Sequence, residues 1–452
     1  MKGNKFFENG IILSLPGLLA IIFSFLAIPI HLKIAGAENY GNYIIFHFIL
    51  TISVMFNFGI GKSIVISMSN FPKKNKLIAY QGLKYTFIIS LLIAFLFIFL
   101  NFINGEIFQY FFKSNKIFFF FIICAISTIF YVSLEGILQG NEKYKFLSFY
   151  NFLFFSLSLT LPSLTLFIYN SDSSLDNLLL ISTFLKVITV FVMFVLIFLN
   201  DLIKISNNNI LMNNLKINSK WLTLNNILVQ FYDICDKYLV KIFLGPIALT
   251  AYSIPQQLTG KLSIFSKGFS VILLTILSKK KISNKNFNQT IKIFLKITPA
   301  LIFLIFPLYS VLLNFWLGTE FNEDILHLSK IFTLSGIFAC TSHILVTKFE
   351  ASQILKRNLK FEFLLMPFFL LTLYLFISNR YSLLYIASII LVKETMLLFL
   401  RLNFLKKEIK NIINYYLYSI FYILMLYLSF VNQTLFYLLE ILLLINIFKD
   451  DK

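Results

Sequence analysis

The chain has 452 residues, of which 58% are hydrophobic and only 13% are charged, and its formal net charge is +19. This composition excludes an ordinary soluble globular protein and indicates a polytopic membrane protein. Apolar runs long enough to cross a bilayer recur along the chain, and no interval between them is long enough for a soluble domain. Any function must therefore reside in the helical bundle.

The fold predicted from these runs is all-α, with about fourteen transmembrane helices. In chain order the predicted spans cover residues 10–32, 41–66, 83–104, 117–138, 148–170, 178–200, 221–245, 252–277, 293–315, 328–349, 361–378, 382–403, 413–430 and 432–449. The loops on one side contain most of the lysines and arginines, whereas the opposite loops contain only Lys33, Lys113, Lys116 and Arg380. Since basic loops face the cytoplasm, we expect both termini to be cytoplasmic. We assign the basic loops to topology and to contacts with membrane lipids, and expect no nucleic-acid partner.

The ends of the first and seventh predicted spans have similar sequences. LKIAGAENYGNY (32–43) and VKIFLGPIALTAY (240–252) share a Lys, a Gly and a Tyr, and in both the Gly and the Tyr are seven residues apart. An offset of six helices preserves orientation, so the similarity predicts a parallel duplication of two pseudo-symmetric six-helix lobes around a central cavity. We predict an N-terminal lobe over 1–200, a cytoplasmic linker over 201–220, a C-terminal lobe over 221–405 and an appended helix pair over 406–452.

The seventh predicted span carries four ionisable residues within its apolar run. They are Asp233, Asp236, Lys237 and Lys241. Charged side chains at membrane depth are costly, so a helix that keeps four of them should face a polar cavity and not lipid. At helical spacing they share one face with two polar residues, Asn226 and Gln230. This pattern predicts that one face of the helix is exposed to water.

Lysines outnumber acids in the predicted spans. The six deep lysines are Lys62, Lys186, Lys237, Lys261, Lys267 and Lys393, and the acids are Asp233, Asp236, Glu394 and Glu440. A cavity with a net positive field fits an anionic ligand such as a phosphate. We therefore predict that the ligand-binding residues are the six lysines together with Asn226 and Gln230. Asp233, Asp236 and Glu394 are predicted to pair with lysines or to couple ions.

Internal pairing is the alternative to ligand binding for these charges. Asp233 and Lys237 are four residues apart, which suits an ion pair on one helix. Lys393 and Glu394 are adjacent, and we expect them to point to different sides and to pair with other helices. Both readings stay open at this point.

Features that would indicate catalysis or a metal centre are lacking in the sequence. His47 and His343 have no acid or Cys at ligand spacing, and the three cysteines lie in different predicted spans. A Ser/His/Asp constellation or a glycine-rich phosphate loop is likewise not found. We therefore expect a transporter that is not an enzyme and that has no resident cofactor.

Four segments resemble the Wzx-type polysaccharide flippases of the multidrug/oligosaccharidyl-lipid/polysaccharide (MOP) exporter superfamily. They are IPIHLKIAGAENYGNY followed by NFGIGKSI (28–64), GILQGNEKYK (136–145), WLTLNNILVQFYDICDKYLVKIFLGPIALTAYSIPQQL (221–258) and FWLGTEFNEDILHLSKIFTLSG (315–336). The third segment is the most specific. Together the segments cover about the first 340 residues in the family's order.

The resemblance implies a substrate, a mechanism and a location. The substrate would be an undecaprenyl-pyrophosphate-linked oligosaccharide, moved from the inner to the outer leaflet of the bacterial cytoplasmic membrane by alternating access, for O-antigen or capsule assembly with the polysaccharide polymerase machinery. The pyrophosphate would contact Lys62, Lys237, Lys261 or Lys267. Coupling to H⁺ or Na⁺ through Asp233 or Asp236 is left open.

Three other functions are weighed against a polysaccharide flippase. A lipid II flippase would suit fourteen spans equally well. A cation or drug exporter of the MATE type shares the fold, but it should place acids in the N-terminal cavity, where this chain has Lys62 and Lys186. A membrane polymerase or ligase of O-antigen normally needs a large external loop with basic catalytic residues, and the predicted external loops are short.

Overall fold

The computed structural model describes residues 3–52, 57–103, 115–169, 175–204, 209–260, 262–279, 284–303, 305–318, 322–352, 354–406, 409, 412–431, 436 and 439–440. In this part of the chain all regular secondary structure is helical, which confirms the predicted all-α fold. Helices satisfy every backbone hydrogen bond within the segment, as a bilayer requires.

Sixteen α-helices follow one another along the described residues. They are α1 (Gly3–Ile52), α2 (Ile60–Asn70), α3 (Asn75–Ile103), α4 (Asn115–Gly140), α5 (Tyr144–Asn151), α6 (Ser158–Tyr169), α7 (Leu175–Leu199), α8 (Asn209–Gly260), α9 (Leu262–Ser278), α10 (Asn284–Lys292), α11 (Thr298–Phe303), α12 (Tyr309–Leu317), α13 (Glu323–Ala351), α14 (Leu355–Ser378), α15 (Leu383–Phe404) and α16 (Ile412–Val431). Short π-helical segments, Phe152–Leu157 and Ile293–Ile297, join α5 to α6 and α10 to α11.

Eight of the described helical segments are long and apolar enough to cross a membrane. They are Pro72–Ile103, Phe118–Gly140, Leu178–Leu199, Ser219–Gln257, Glu323–Ala351, Leu355–Ser378, Leu383–Phe404 and Ile412–Val431. Three shorter apolar helices are Phe6–Leu19, Ser266–Ser278 and Phe306–Leu317. The number is below fourteen because several predicted spans are broken, the second at residues 57–59 and the fifth by a π-helical segment. The predicted last span, 432–449, lies almost entirely outside the described residues.

Large apolar side chains cover much of the outside of the bundle. Phe95, Phe191, Phe368 and Val311 each expose about two thirds of their surface. In a soluble protein so much exposed apolar surface would be a liability, whereas lipid is its natural solvent. The outer surface therefore agrees with a multi-pass membrane protein.

Two helices turn sharply at a glycine, in the same way. In α1 the turn is at Gly36 (φ 79°, ψ 164°), and in α8 it is at Gly245 (φ 88°, ψ 173°). These angles belong to a region that is open almost only to glycine. Seven residues later, Tyr43 and Tyr252 are both fully buried. The sequence similarity between these two stretches thus marks a repeated structural feature, while the predicted domain boundaries stay a prediction.

The two glycine turns lie at one end of the bundle, which we name the glycine-turn end. Helices α1–α7 form the first half of the chain and α8–α16 the second half. At the glycine-turn end, the Tyr40 hydroxyl donates to Gln257 Oε1 (3.3 Å) across the halves. A Cβ built on Gly41 would lie only 2.7 Å from the carbonyl oxygen of Pro246. The halves therefore touch closely at this end.

The halves also touch at the opposite end, which we name the lysine-rich end because it carries Lys73, Lys74 and Lys279. There Gln139 Nε2 donates to the Val271 carbonyl oxygen (2.7 Å). The Ser63 hydroxyl donates to the Leu215 carbonyl oxygen (2.9 Å). The halves therefore touch at both ends of the bundle.

Candidate functional site

The second predicted span is broken in its middle, and the break is fixed by side-chain hydrogen bonds. Phe58 and Gly59 have positive φ (50° and 66°), and α2 begins at the next residue. The buried Asn57 amide donates to the Ile129 carbonyl oxygen (3.1 Å), and its Oδ1 accepts from the Gly61 N–H (3.2 Å). Broken helices are a common way for transporters to present a helix N-terminus to an anion at membrane depth.

Lys62 lies in the first turn of α2, beside this break. Its ammonium donates to Glu350 Oε1 at 2.5 Å, and Glu350 belongs to α13 of the second half. The Glu350 side chain is only 3% exposed, whereas that of Lys62 is 39% exposed. The ion pair therefore joins the halves, with the carboxylate enclosed and the lysine partly accessible.

Two further charges lie near this pair. Lys267 is exposed on α9, and together with Lys62 it acts electrostatically on Glu135 of α4. Glu135 also forms a hydrogen bond with Asn151. We name Lys62, Glu135, Lys267 and Glu350 the central charge cluster. Its members come from α2, α4, α9 and α13, so both halves contribute to it.

The residues around Lys267 indicate which part of the bundle its exposed ammonium lies in. Besides Glu135, it acts electrostatically on Cys340 and His343 of α13. Cys340 is fully buried and His343 half-buried, whereas Glu135 belongs to the first half, so Lys267 acts on groups of both halves. An exposed ammonium in that position needs water around it. The cluster therefore borders a hydrated space.

A second charged site lies within the second half, on α8. The Asp236 carboxylate, 1% exposed, accepts from the Tyr252 hydroxyl (2.8 Å), from Gln256 Nε2 (3.1 Å) and from the Lys237 backbone N–H (2.8 Å). The Lys237 ammonium lies 3.9 Å from it. We name Asp236, Lys237, Tyr252 and Gln256 the Asp236 site. Hydrogen bonds from several donors offset the desolvation cost of burying the carboxylate, and they hold it in one position.

Lys393 and Glu394 form an ion pair with each other, contrary to the expectation that they point to different sides. Lys393 Nζ and Glu394 Oε1 are 2.8 Å apart, since long side chains can reach a sequence neighbour around the helix. The ammonium also lies over the rings of Tyr232 (4.7 Å) and Phe369 (5.1 Å). This pair lies wholly on α15.

The remaining predicted site residues are dispersed. Lys186 is buried on α7, with its ammonium 5.4 Å from the centre of the Phe154 ring. Asn226 and Gln230 are half-buried on α8, upstream of the Asp236 site. Lys261 and the side chain of Asp233 lie outside the described residues. The structure thus brings Lys62 and Lys267 close to common neighbours but keeps Lys186 in another environment.

Sequence reasoning missed Glu350, one residue beyond the predicted span 328–349, and Arg401, near the end of the predicted span 382–403. Arg401 is 7% exposed on α15 and pairs with Glu362 of α14. Its Nε donates to Asn358 Oδ1 (3.1 Å), and Asn358 Nδ2 donates to Glu362 Oε1 (2.6 Å). An acid and an arginine in apolar surroundings were the available signal, since each is rarely buried without a partner.

The sequence matches no protein-family model and no curated protein. Solved structures do match. A MOP superfamily transporter from Pyrococcus furiosus, described as having a binding pocket of reverse polarity, has a TM-score of 0.68 and 12% identity over 91% of this chain and 99% of that one. A MATE in complex with MaL6 has a TM-score of 0.69 and 12% identity over 92% and 100%. An outward-facing multidrug resistance MATE of the MOP superfamily has a TM-score of 0.65 and 13% identity over 92% and 99%.

These comparisons define the fold, which is that of the MOP superfamily transporters. The match extends over nearly the whole of both chains. At 12–13% identity the likeness concerns the fold alone.

Proposed function

We propose that this protein flips undecaprenyl-pyrophosphate-linked oligosaccharide repeat units from the inner to the outer leaflet of the bacterial cytoplasmic membrane. The observation that carries the proposal is the central charge cluster, in which the partly accessible Lys62 and the exposed Lys267 border the space between the halves. Two ammonium groups beside a helix N-terminus suit a diphosphate. The lysines would hold it as point charges, without the two-pronged grip of arginine.

The remaining parts of the substrate fit the same arrangement. The sugars would pass through the hydrated space, and the lipid tail would stay in the bilayer beside the bundle. With the lysine-rich end in the cytoplasm, an outward-moving anion follows an inside-negative potential worth about 2.3 kcal/mol per charge per 100 mV. Assembly of surface polysaccharide by a polymerase would follow on the outer side.

The test is complementation of a strain that lacks its own polysaccharide flippase, scored by surface polysaccharide. We expect the wild-type chain to restore it, and Lys62→Ala and Lys267→Ala to lose at least most of the rescue. Lys145→Ala is the matched control, because Lys145 is an exposed lysine of the lysine-rich end outside the cluster. Full rescue by both cluster variants would overturn the proposal. Rescue of cell-wall synthesis instead would identify a lipid II flippase.

A cation or drug exporter is the second candidate, because MATE structures share the fold and the cluster contains two carboxylates. An exporter of cations would bind its substrate through Glu135 or Glu350. Glu135→Gln should then abolish drug resistance conferred on a sensitive host. We expect the wild-type chain to confer no such resistance, and resistance that depends on Glu135 would favour the exporter.

Ion coupling, if present, would involve the Asp236 site. A buried carboxylate between a lysine and two neutral donors can exchange a partner for H⁺ or Na⁺ when the helices move. The hypothesis predicts that Asp236→Asn changes the dependence of flipping on pH or on Na⁺ in vesicles. Unchanged flipping over both variables would show that Asp236 only stabilises the fold.

A further inference from the structure

Glu350 lies where an anionic ligand of Lys62 would have to bind. Its Oε1 accepts a charge-assisted hydrogen bond from the Lys62 ammonium (2.5 Å), so the two groups are in direct contact. Lys62 is partly accessible, and its other neighbours include Glu135. A diphosphate that approaches Lys62 from the space between the halves therefore meets an ammonium already engaged by a carboxylate.

The pair depends on how the two halves are placed. Lys62 is on α2 and Glu350 is on α13, and α2 also contacts the second half through Ser63 and Leu215. A built Cβ on Gly59 would lie 2.6 Å from Leu222 Cβ, so α2 packs tightly against α8 as well. Separation of the halves at the lysine-rich end would pull α2 from α13 and break the ion pair.

We propose that Glu350 is a built-in competitor that displaces the diphosphate from Lys62 when the lysine-rich end closes. The proposal rests on the flippase function proposed above. With this end open, Lys62 is free of Glu350 and binds the ligand. With this end closed, the carboxylate takes the place of the phosphate, and the ligand is released towards the other leaflet.

Linkage makes the competition reciprocal. If closing lowers the affinity for the diphosphate, then the diphosphate must favour the open arrangement by the same factor. A ligand that bound both arrangements equally would shift nothing. Removing the Glu350 charge should therefore raise ligand affinity while it slows release, which is a combination that a residue needed only for folding would not produce.

The first measurement is binding of undecaprenyl pyrophosphate to the purified full-length protein. We expect Glu350→Gln to bind about five-fold more tightly or better, a typical size for coupling between sites, and to flip more slowly in vesicles. Lys62→Gln should lose affinity. Glu142→Gln is the matched control, because the exposed Glu142–Lys279 pair also joins the halves but contributes little to closing them, so it should change affinity far less than Glu350→Gln does.

The second measurement reports closure of the lysine-rich end. Glu142→Cys and Lys279→Cys, in a chain whose three native cysteines are replaced by serine, are cross-linked with a short bis-maleimide. We expect undecaprenyl pyrophosphate to lower the yield in the otherwise wild-type chain. With Glu350→Gln we expect a lower yield before ligand is added and a smaller further decrease.

The outcomes separate the two proposals. If the wild-type chain binds undecaprenyl pyrophosphate and Glu350→Gln binds it no more tightly, the competitor role is wrong and the flippase function stands. If the wild-type chain does not bind it, the proposed function fails and the competitor role fails with it. Should Glu350→Gln not fold, Glu350→Asp carries the test, because its shorter carboxylate reaches Lys62 less well and should shift affinity in the same direction.

Discussion

The buried network of Arg401, Glu362 and Asn358 allows a quantitative test of how charges are stabilised in this bundle. Glu362 is 1% and Asn358 2% exposed, and Arg401 is 7% exposed. The Tyr232 hydroxyl donates to the Glu362 carbonyl oxygen (2.9 Å), so the network also ties α8 to α14. Burying an ion pair costs desolvation that the pairing roughly offsets, but a single buried charge without its partner is strongly unfavourable.

Glu362→Gln should therefore destabilise the protein by about 3–5 kcal/mol, since it leaves the Arg401 charge buried and uncompensated. Replacing both partners by methionine removes the charge altogether. The double variant should recover part of this loss and remain less stable than the wild type by about 1–3 kcal/mol, because the Asn358 amide is left unpaired.

The measurement is the unfolding midpoint of the purified protein in detergent, with Glu142→Gln as the control at an exposed ion pair, where about 0–1 kcal/mol is expected. A Glu362→Gln variant as stable as the wild type would refute the reasoning. A double variant less stable than the single one would refute it as well.

Three further predictions follow from backbone geometry and burial. Gly36→Ala and Gly245→Ala should each destabilise the protein by about 1–3 kcal/mol in the same unfolding assay, through backbone strain alone, because a Cβ at either position has open space around it. Gly136→Ala should impair complementation, because its Cβ would lie 2.4 Å from the Gly61 carbonyl oxygen and push α4 away from the turn that holds Lys62; normal complementation would contradict this. Lys186→Met should complement normally, because the Lys186 ammonium is buried against an aromatic ring and is therefore not accessible to a ligand, and lost surface polysaccharide would support Lys186 as a binding residue.

Hydropathy predicted the helical spans well because the cost of exposing polar backbone to lipid leaves few alternatives. It did not predict where the spans are interrupted. The break before α2 occurs at residues with positive φ, Phe58 and Gly59, inside a stretch that stays apolar on average. The repeated turn was visible as a sequence similarity at Gly36 and Gly245, but its glycine-only backbone conformation became evident only in the structure.

The site was less predictable than the fold. Burial costs point to lysines within spans, and Lys62 and Lys267 were found in this way. Their partners were not found, because pairing depends on which helices become neighbours. Glu350 is 288 residues from Lys62 and one residue from the end of its helix, so sequence position alone assigned it to a loop.

The excess of deep lysines over acids first suggested an anionic ligand. Whether these lysines give the space between the halves a positive field depends on how the halves are arranged. Lys237 with Asp236 and Lys393 with Glu394 each pair within one helix, so separation of the halves leaves these pairs intact. Lys62 differs, because its partner belongs to the other half. Under the proposed competition, separation of the halves at the lysine-rich end would free this ammonium for a ligand, and closure would neutralise it again. That competition would tie the affinity for an anion to the side from which the space between the halves is open, which is what alternating access requires.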